Sequence, residues 1–268
     1  MEINKIDNCY VAFLDILGFK DLLDKNNFEE IHSIFEEIRR FKPDPFVEFP
    51  AHEKIQFHIM SDSIIVYVDA TMPDSFVSLT EVCYQIQIYL LRRKKPILLR
   101  GGIASGYLFR DKDVIFGTGL SRAYSLENEL ASYPRIIFTA ATLNEGLKNS
   151  NLSRIWDELN MFYLMDNDDL YYIDFLHTSS YFKHILQDKD DETQASLEEY
   201  FEKLYDFVNN HLGYELNQSI RNKYVWLKDK IYTAIDNNQT LSKHFEELEK
   251  NRKEERRAVL KKIILEGD

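Results

Sequence analysis

The chain is short of cysteine, of long apolar runs and of positive charge, and each shortage excludes a class of protein. Cys9 and Cys83 are the only cysteines, too few for a disulfide framework or a cysteine-type zinc site. No apolar run approaches the ~18 residues of a membrane-spanning helix. The first residues, "MEINKIDNCYVAF", carry acids where a signal peptide needs a basic region. A formal net charge of −12 disfavours a nucleic-acid or anionic-membrane surface. We therefore expect a cytoplasmic protein that binds no nucleic acid and spans no membrane.

The composition is that of a folded, globular protein. With 268 residues, 44% of them hydrophobic, the chain is long enough to bury a substantial core in one large domain or in a domain with an extension. Short apolar segments rich in β-branched and aromatic residues alternate with helical periodicities, and the strand-type segments lie at 9–15, 54–60, 64–68, 97–105 and 135–138. This alternation predicts an α+β sheet layered with helices.

The pattern changes after residue 150. The stretch "MDNDDLYYIDFL" is typical of an acidic turn followed by one more strand, and from "DKDDETQAS" onward nearly every segment has helical periodicity. We therefore divide the chain into a first domain at 1–150 and a mainly helical C-terminal extension at 151–268 that packs on it.

Two aspartates stand where predicted strands end. Asp15 lies inside the apolar run "AFLDILGFK", which breaks at Gly18, and Asp62 lies at the tip of a predicted hairpin. Adjacent strands would bring both carboxylates to one edge of the sheet. Two carboxylates with substrate phosphates suit Mg²⁺, and backbone N–H groups at the helix start after Gly18 favour phosphate oxygens. The pattern indicates a metal-assisted phosphate site.

Four segments resemble motifs of the class III nucleotidyl cyclases. "FLDILGF" at 13–19 is similar to that family's Phe-x-Asp-Ile-x-Gly-Phe motif, and "MSDSIIVYV" is similar to its second metal motif. "LRGGIASG" and "VIFGTGLSRAYSLE" resemble the strand and the glycine–helix segment that follow, in the same order. The resemblance spans roughly residues 10–140 and implies a class III cyclase-like fold with a βαββαβ core, followed here by the C-terminal helical extension.

The resemblance also implies roles for residues of the first two motifs. Asp15 and Asp62 would hold two Mg²⁺ or Mn²⁺ ions, with the Ile16 carbonyl as a further ligand. The ions would activate the ribose 3′-hydroxyl and neutralise the phosphates, giving a 3′,5′-cyclic nucleotide and pyrophosphate. The amides that would hold the β- and γ-phosphates of the nucleoside triphosphate belong to Leu17, Gly18 and Phe19.

The chain departs from the family at the positions that read a purine base. His58 stands where purine cyclases carry a lysine. Their second base reader, an acid or small polar residue three before the glycine, falls on Val114, whose side chain offers no hydrogen bond. The family's ribose-orienting asparagine and transition-state arginine fall on Ser121 and Ser125.

Two arginines are candidates for the missing cation. A guanidinium can clamp phosphate oxygens with two parallel hydrogen bonds, and Arg100 and Arg122 both lie inside the matching motifs. The alternative is that each is a surface or structural arginine. We count both among the catalytic candidates.

Without purine readers the chain is most similar to the pyrimidine cyclases of bacterial Pycsar antiphage systems, which also share a Lys-x-x-Trp-Leu region with "NKYVWLKDKIYTAI". This resemblance implies UTP or CTP as substrate, with UTP preferred, and cyclic UMP or cyclic CMP as an antiviral messenger for a separate effector protein. It also implies a homodimer in which one subunit's metal site meets the other subunit's Gly117–Glu127 segment. The alternatives are a purine (ATP or GTP) class III cyclase and a nucleotide-binding module without turnover.

Overall fold

The computed structural model describes residues 5–25, 27–42, 50–111, 114–150, 162–177 and 196–266, with side chains up to residue 258. The chain divides into two compact units, Met1–His177 and Thr178–Asp268. Parts of the predicted extension, at 151–161 and 178–195, lie outside the described residues.

The first unit is built on one mixed sheet. Its described strands are β1 (Lys5–Ile16), β2 (Gln56–Met60), β3 (Ser63–Asp69), β4 (Leu99–Asp111), β5 (Val114–Phe116), β6 (Ile136–Phe138), β7 (Tyr163–Met165) and β8 (Tyr171–Ile173). They run in the order β2-β3-β1-β4-β6-β8-β7, and β5 pairs with β4. Only the β4–β6 pair is parallel among these ladders. Because β1 lies inside the sheet and is covered on both faces, its middle is a continuous apolar run.

Among its described residues this unit has five α-helices: α1 (Phe19–Asp24), α2 (Phe28–Arg40), α3 (Ser75–Leu91), α4 (Thr118–Ser125) and α5 (Ala140–Lys148). The helix α3 covers one face of the sheet, where the Phe76 ring lies 5.3 Å from Tyr10 and 5.5 Å from Phe138. On the opposite face α4 buries Ala123 in a cluster with Val11 and Phe13 of β1. The sheet therefore lies between two helical layers, as the alternation of elements predicts.

The second unit consists of the described helices α6 (Leu197–Leu212), α7 (Gln218–Asp236) and α8 (Gln239–Glu266). The helix α6 begins with a capping box, because Ser196 accepts from the Glu199 amide and the Glu199 carboxylate accepts from the Ser196 amide. The guanidinium of Arg252 on α8 binds both carboxylate oxygens of Asp206 on α6, at 2.7 and 2.8 Å. No helix within the described ranges combines the length and the apolar content needed to cross a bilayer.

The predicted α+β class, the βαββαβ order of the core and the C-terminal helices are confirmed. The sheet continues beyond the predicted boundary at residue 150, because β8 pairs with β6 and β7 pairs with β8. The first compact unit accordingly ends at His177. The stretch at 165–176 forms the predicted acidic turn and strand, which is β8, and the unpredicted β7 just before it completes a hairpin.

Candidate active site

Asp15 and Asp62 lie at the same edge of the sheet. Asp15 is the penultimate residue of β1. The amide of the last residue, Ile16, donates to the Asp62 carbonyl oxygen at 3.1 Å. Asp62 occupies a two-residue loop between β2 and β3, since Met60 pairs directly with Ser63. The two carboxylates therefore come from neighbouring strand ends.

Arg100 joins Asp15 from the other side. It is the register partner of Asp15 on β4, and side chains opposite each other on paired strands share a sheet face. Its Nε donates to Asp15 Oδ2 at 3.0 Å and lies 2.7 Å from Glu127 Oε1. Asp15, Arg100 and Glu127 thus form one cluster of two carboxylates around a guanidinium, which we call the Arg100 cluster.

Glu127 is the member of this cluster that sequence reasoning did not assign. It lies in a turn of π-helix at Leu126–Leu130, directly after α4, and is only 3% exposed. The helix reaches β4 because of Gly102, where a Cβ atom would stand 2.4 Å from the Ala123 carbonyl oxygen and 2.9 Å from the Glu127 amide nitrogen. Gly102 in "LRGGIASG" was the sequence signal that could have indicated this close approach.

The turn after Asp15 starts a short helix, as predicted. Gly18 has φ 81° and directly precedes α1. An added Cβ at Gly18 would meet nothing within 4 Å, so the backbone angle rather than crowding within the protein explains the glycine. The Leu17 amide donates to the Leu98 carbonyl oxygen at 2.9 Å. This amide, predicted to bind phosphate, therefore already has a partner within the protein. The amides of Gly18 and Phe19 remain the candidates.

His58 shares a sheet face with Asp15. It pairs with Ile65 on β3, and Ile65 pairs with Phe13 on β1, two residues before Asp15. Because side chains alternate along a strand, Phe57 points to the opposite face. Val114, at the other base-reading position, is 54% exposed at the β4–β5 hairpin.

Arg122, the second predicted cation, lies in a separate pocket of about 440 Å³ beside α4, β4 and α5. Its Nη1 donates to the Ser105 carbonyl oxygen at 3.0 Å. Ser105 is five positions from Arg100, which is roughly 16 Å along an extended strand. The pocket is also lined by Ser121, Ser125, Thr139 and Glu145. Within one chain, the two predicted arginines therefore belong to two different sites.

The donor set at Asp15 and Asp62 fits a divalent cation bound together with a nucleotide. Within the part of the chain that the structure describes, no three or more His, Cys, Asp or Glu side chains are grouped to hold a metal ion. Mg²⁺ is usually held by one or two carboxylates plus substrate phosphates, which is the number of carboxylates present here.

Neither cysteine is suited to act as a nucleophile or as a metal ligand. Burial raises the pKa of the Cys9 thiol to about 12, and burial also raises the pKa of the Cys83 thiol. Both side chains therefore stay protonated at neutral pH, while the thiolate is the form that acts as nucleophile or metal ligand.

No protein-family model and no curated protein matches the sequence. Among solved structures, the chain is similar to an adenylate/guanylate cyclase/hydrolase from Silicibacter pomeroyi, with 16% identity and a TM-score of 0.42 over 64% of this chain and 98% of that chain. It is also similar to a bacterial light-regulated adenylyl cyclase, with 12% identity and a TM-score of 0.37 over 73% of this chain and 59% of that chain.

Proposed function

We propose that the protein is a nucleotidyl cyclase that converts UTP or CTP to the 3′,5′-cyclic monophosphate and pyrophosphate. The observation that carries the proposal is the meeting of Asp15 and Asp62 at one sheet edge, directly before the glycine turn that begins α1. Carboxylates for a cation and amides for phosphates are thereby adjacent, as a nucleoside triphosphate with its metal requires.

The chain's own residues have distinct tasks in this reaction. Asp15 and Asp62 hold the divalent cations, and the amides of Gly18 and Phe19 donate to phosphate oxygens. Arg100, whose Nε is held by carboxylates, directs its two other nitrogens to the phosphates. Bound Mg²⁺ or Mn²⁺ would favour ionisation of the ribose 3′-hydroxyl and neutralise phosphate charge. The 3′-oxygen attacks the α-phosphorus, the bond to the β-phosphate oxygen breaks, and the hydroxyl proton passes to solvent.

The preference for a pyrimidine is inferred from what stands at the base-reading positions. His58 lies on the sheet face of Asp15, and a neutral imidazole both donates and accepts, as the edges of uracil and cytosine require. Val114 cannot hydrogen-bond to a purine edge.

We further propose a homodimer with two shared sites, whose cyclic nucleotide acts on a separate effector in antiphage defence. Arg122 and Arg100 belong to different sites of one chain, which is expected if each complete site takes its metal half and its α4 half from different subunits. Exposed apolar side chains at the β4–β5 hairpin and on α4 support a contact surface there, at Val114, Phe116 and Tyr124.

The deciding experiment incubates the purified protein with each of ATP, GTP, CTP and UTP plus Mg²⁺ or Mn²⁺ and identifies the products by mass. We expect a cyclic pyrimidine nucleotide and its loss in both Asp15→Ala and Asp62→Ala. The matched control is Asp21→Ala. This change removes an exposed acid of α1 whose carboxylate lies 2.8 Å from the ammonium group of the exposed Lys25. Formation of a cyclic purine instead would favour the purine cyclase, and the absence of any cyclic product from folded protein would favour a binding module.

A further inference from the structure

The Nε–H of Arg100 is a single donor between two acceptors. Asp15 Oδ2 lies 3.0 Å away and Glu127 Oε1 lies 2.7 Å away. The three side chains are largely withdrawn from solvent, with exposed fractions of 24% for Arg100, 17% for Asp15 and 4% for Glu127. Charge–charge contacts in such a setting are screened much less than contacts at an open surface.

Asp15 faces two competing partners in the proposed enzyme. A divalent cation needs its carboxylate oxygens, and one of those oxygens already accepts from Arg100. With Asp15 as its sole acceptor, Arg100 would form a neutral pair that the cation has to break. A second carboxylate changes this balance, because Arg100 then has another acceptor and the cluster keeps one net negative charge for the cation.

Glu127 is fixed in place more firmly than a surface acid would be. Its backbone lies against β4 at Gly102, where an added Cβ would come within 2.9 Å of the Glu127 amide nitrogen. The amide of Ala131 donates to the carbonyl oxygens of both Leu126 and Glu127, at 3.0 and 3.3 Å, which ties off the end of the turn. The carboxylate therefore offers Arg100 a stationary anchor.

From this geometry we propose that Glu127 is a positioning residue that holds Arg100 when a divalent cation takes Asp15. The guanidinium then stays beside the cation site, with its terminal nitrogens directed to phosphate, and does not compete for the metal ligand. The inference rests on the proposed function in one respect, namely that Asp15 binds the cation.

The test measures Mn²⁺ binding to the nucleotide-free protein by the electron paramagnetic resonance signal of free Mn²⁺. We expect Glu127→Gln to weaken binding about tenfold, the order expected from loss of a buried ion-pair contact that holds Arg100. Glu127→Asp, which keeps the charge but shortens the side chain, is expected to weaken binding similarly. The matched control is Asp21→Asn, where an exposed acid of α1 is neutralised and the affinity should stay within about twofold.

A double-mutant cycle with Arg100→Met separates positioning from simple charge. If Glu127 acts through Arg100, Glu127→Gln has no further effect on Mn²⁺ affinity once Arg100 is gone. An equal loss of affinity with and without Arg100, or a Glu127→Asp protein that binds Mn²⁺ as tightly as wild type, would overturn the proposal. Where Glu127→Gln alone fails to fold, Glu127→Asp takes its place in the cycle, because it keeps the buried negative charge beside Arg100.

The outcomes also distinguish this inference from the proposed function. If wild type binds Mn²⁺, Asp15→Asn does not, and Glu127→Gln equals wild type, only the role of Glu127 is wrong. If wild type binds no Mn²⁺, the cation site fails and the positioning role fails with it. A crystal structure with Mn²⁺ gives a direct check, because Arg100 Nε should hydrogen-bond to Glu127 and lie beyond hydrogen-bond distance of Asp15.

Discussion

At the scale of single residues, the strand register decides which side chains can act together. The pairs His58–Ile65 and Ile65–Phe13 connect three strands in one row, and the next row on the same face contains Ser63, Asp15 and Arg100. His58 is therefore one row away from the Arg100 cluster. A nucleotide lying along this face would place its base near His58 and its phosphates near the Arg100 cluster.

This placement leads to a prediction about His58. His58→Ala and His58→Lys should each reduce the preference for the favoured pyrimidine, roughly five- to a hundredfold, because a buried hydrogen bond to the base is lost. The measurement is kcat/KM for UTP, CTP, ATP and GTP. Phe57→Leu, one residue away on the opposite face, is the matched control and should leave the order of substrates unchanged. Equal preferences in wild type and both His58 variants would make His58 a structural residue.

The sequence contained enough information for Asp15 and Asp62 but not for Glu127. Asp15 interrupts an apolar strand segment and Asp62 stands at a predicted hairpin tip, so local sequence marks the position of each. Glu127 lies in "YSLENEL", where a buried acid looks like the exposed Glu129 two residues later. Only the long-range contact with Arg100 and the approach of the helix to Gly102 separate the two, and neither leaves a periodic signal.

At the scale of elements, the close contact between α4 and β4 positions the Arg100 cluster. The two elements meet at Gly102, where the space for a side chain is taken by backbone atoms of Ala123 and Glu127 and by the Leu126 side chain. Backbone cannot rotate away as a flexible side chain can, so a larger residue has to push the helix off the strand.

We therefore predict that Gly102→Ala destabilises the first unit by about 1–3 kcal/mol, the usual cost of overpacking, and also weakens Mn²⁺ binding. Urea unfolding followed by circular dichroism measures the stability. The control is Gly213→Ala. Gly213 has φ −73°, and an added Cβ would lie 3.2 Å from the Asn210 carbonyl oxygen, so this change should reduce the free energy of unfolding far less. A Gly102→Ala protein with wild-type stability and wild-type Mn²⁺ affinity would show that α4 does not hold Glu127 against the strand.

The elements themselves were largely predictable, because apolar periodicity is a local property. The hairpin that β7 forms with β8 was the exception, although its acidic turn and β8 were predicted. Its strands have three residues each, too few for a periodic pattern, and its acidic turn is bound by the fully buried Arg135 through Asp166 and Asp168. A contact that bridges distant parts of the chain in this way is invisible to any window of sequence.

At the scale of the whole molecule, the proposed dimer requires that the first unit carry two partial sites. The Ser105 carbonyl oxygen that binds Arg122 belongs to a residue roughly 16 Å along β4 from Arg100. One nucleotide could contact both the Arg100 cluster and an Arg122 pocket only if the two came from different copies of the chain. A two-fold dimer would supply it twice, giving two equivalent sites.

Mixing two inactive variants tests this arrangement. Asp15→Ala damages the metal half and Arg122→Ala the other half, so a mixed dimer keeps one intact site if the halves come from different subunits. After subunit exchange, a one-to-one mixture should recover about one quarter of the wild-type rate of cyclic nucleotide formation, because half of the dimers are mixed and each has one good site. The control mixture, Asp15→Ala with Asp62→Ala, should recover nothing, because both changes fall in the same half and every site stays damaged. A mixture of the first pair without recovered activity, in a protein that runs as a monomer on a sizing column, would mean that each chain works alone and that Arg122 belongs to a different site.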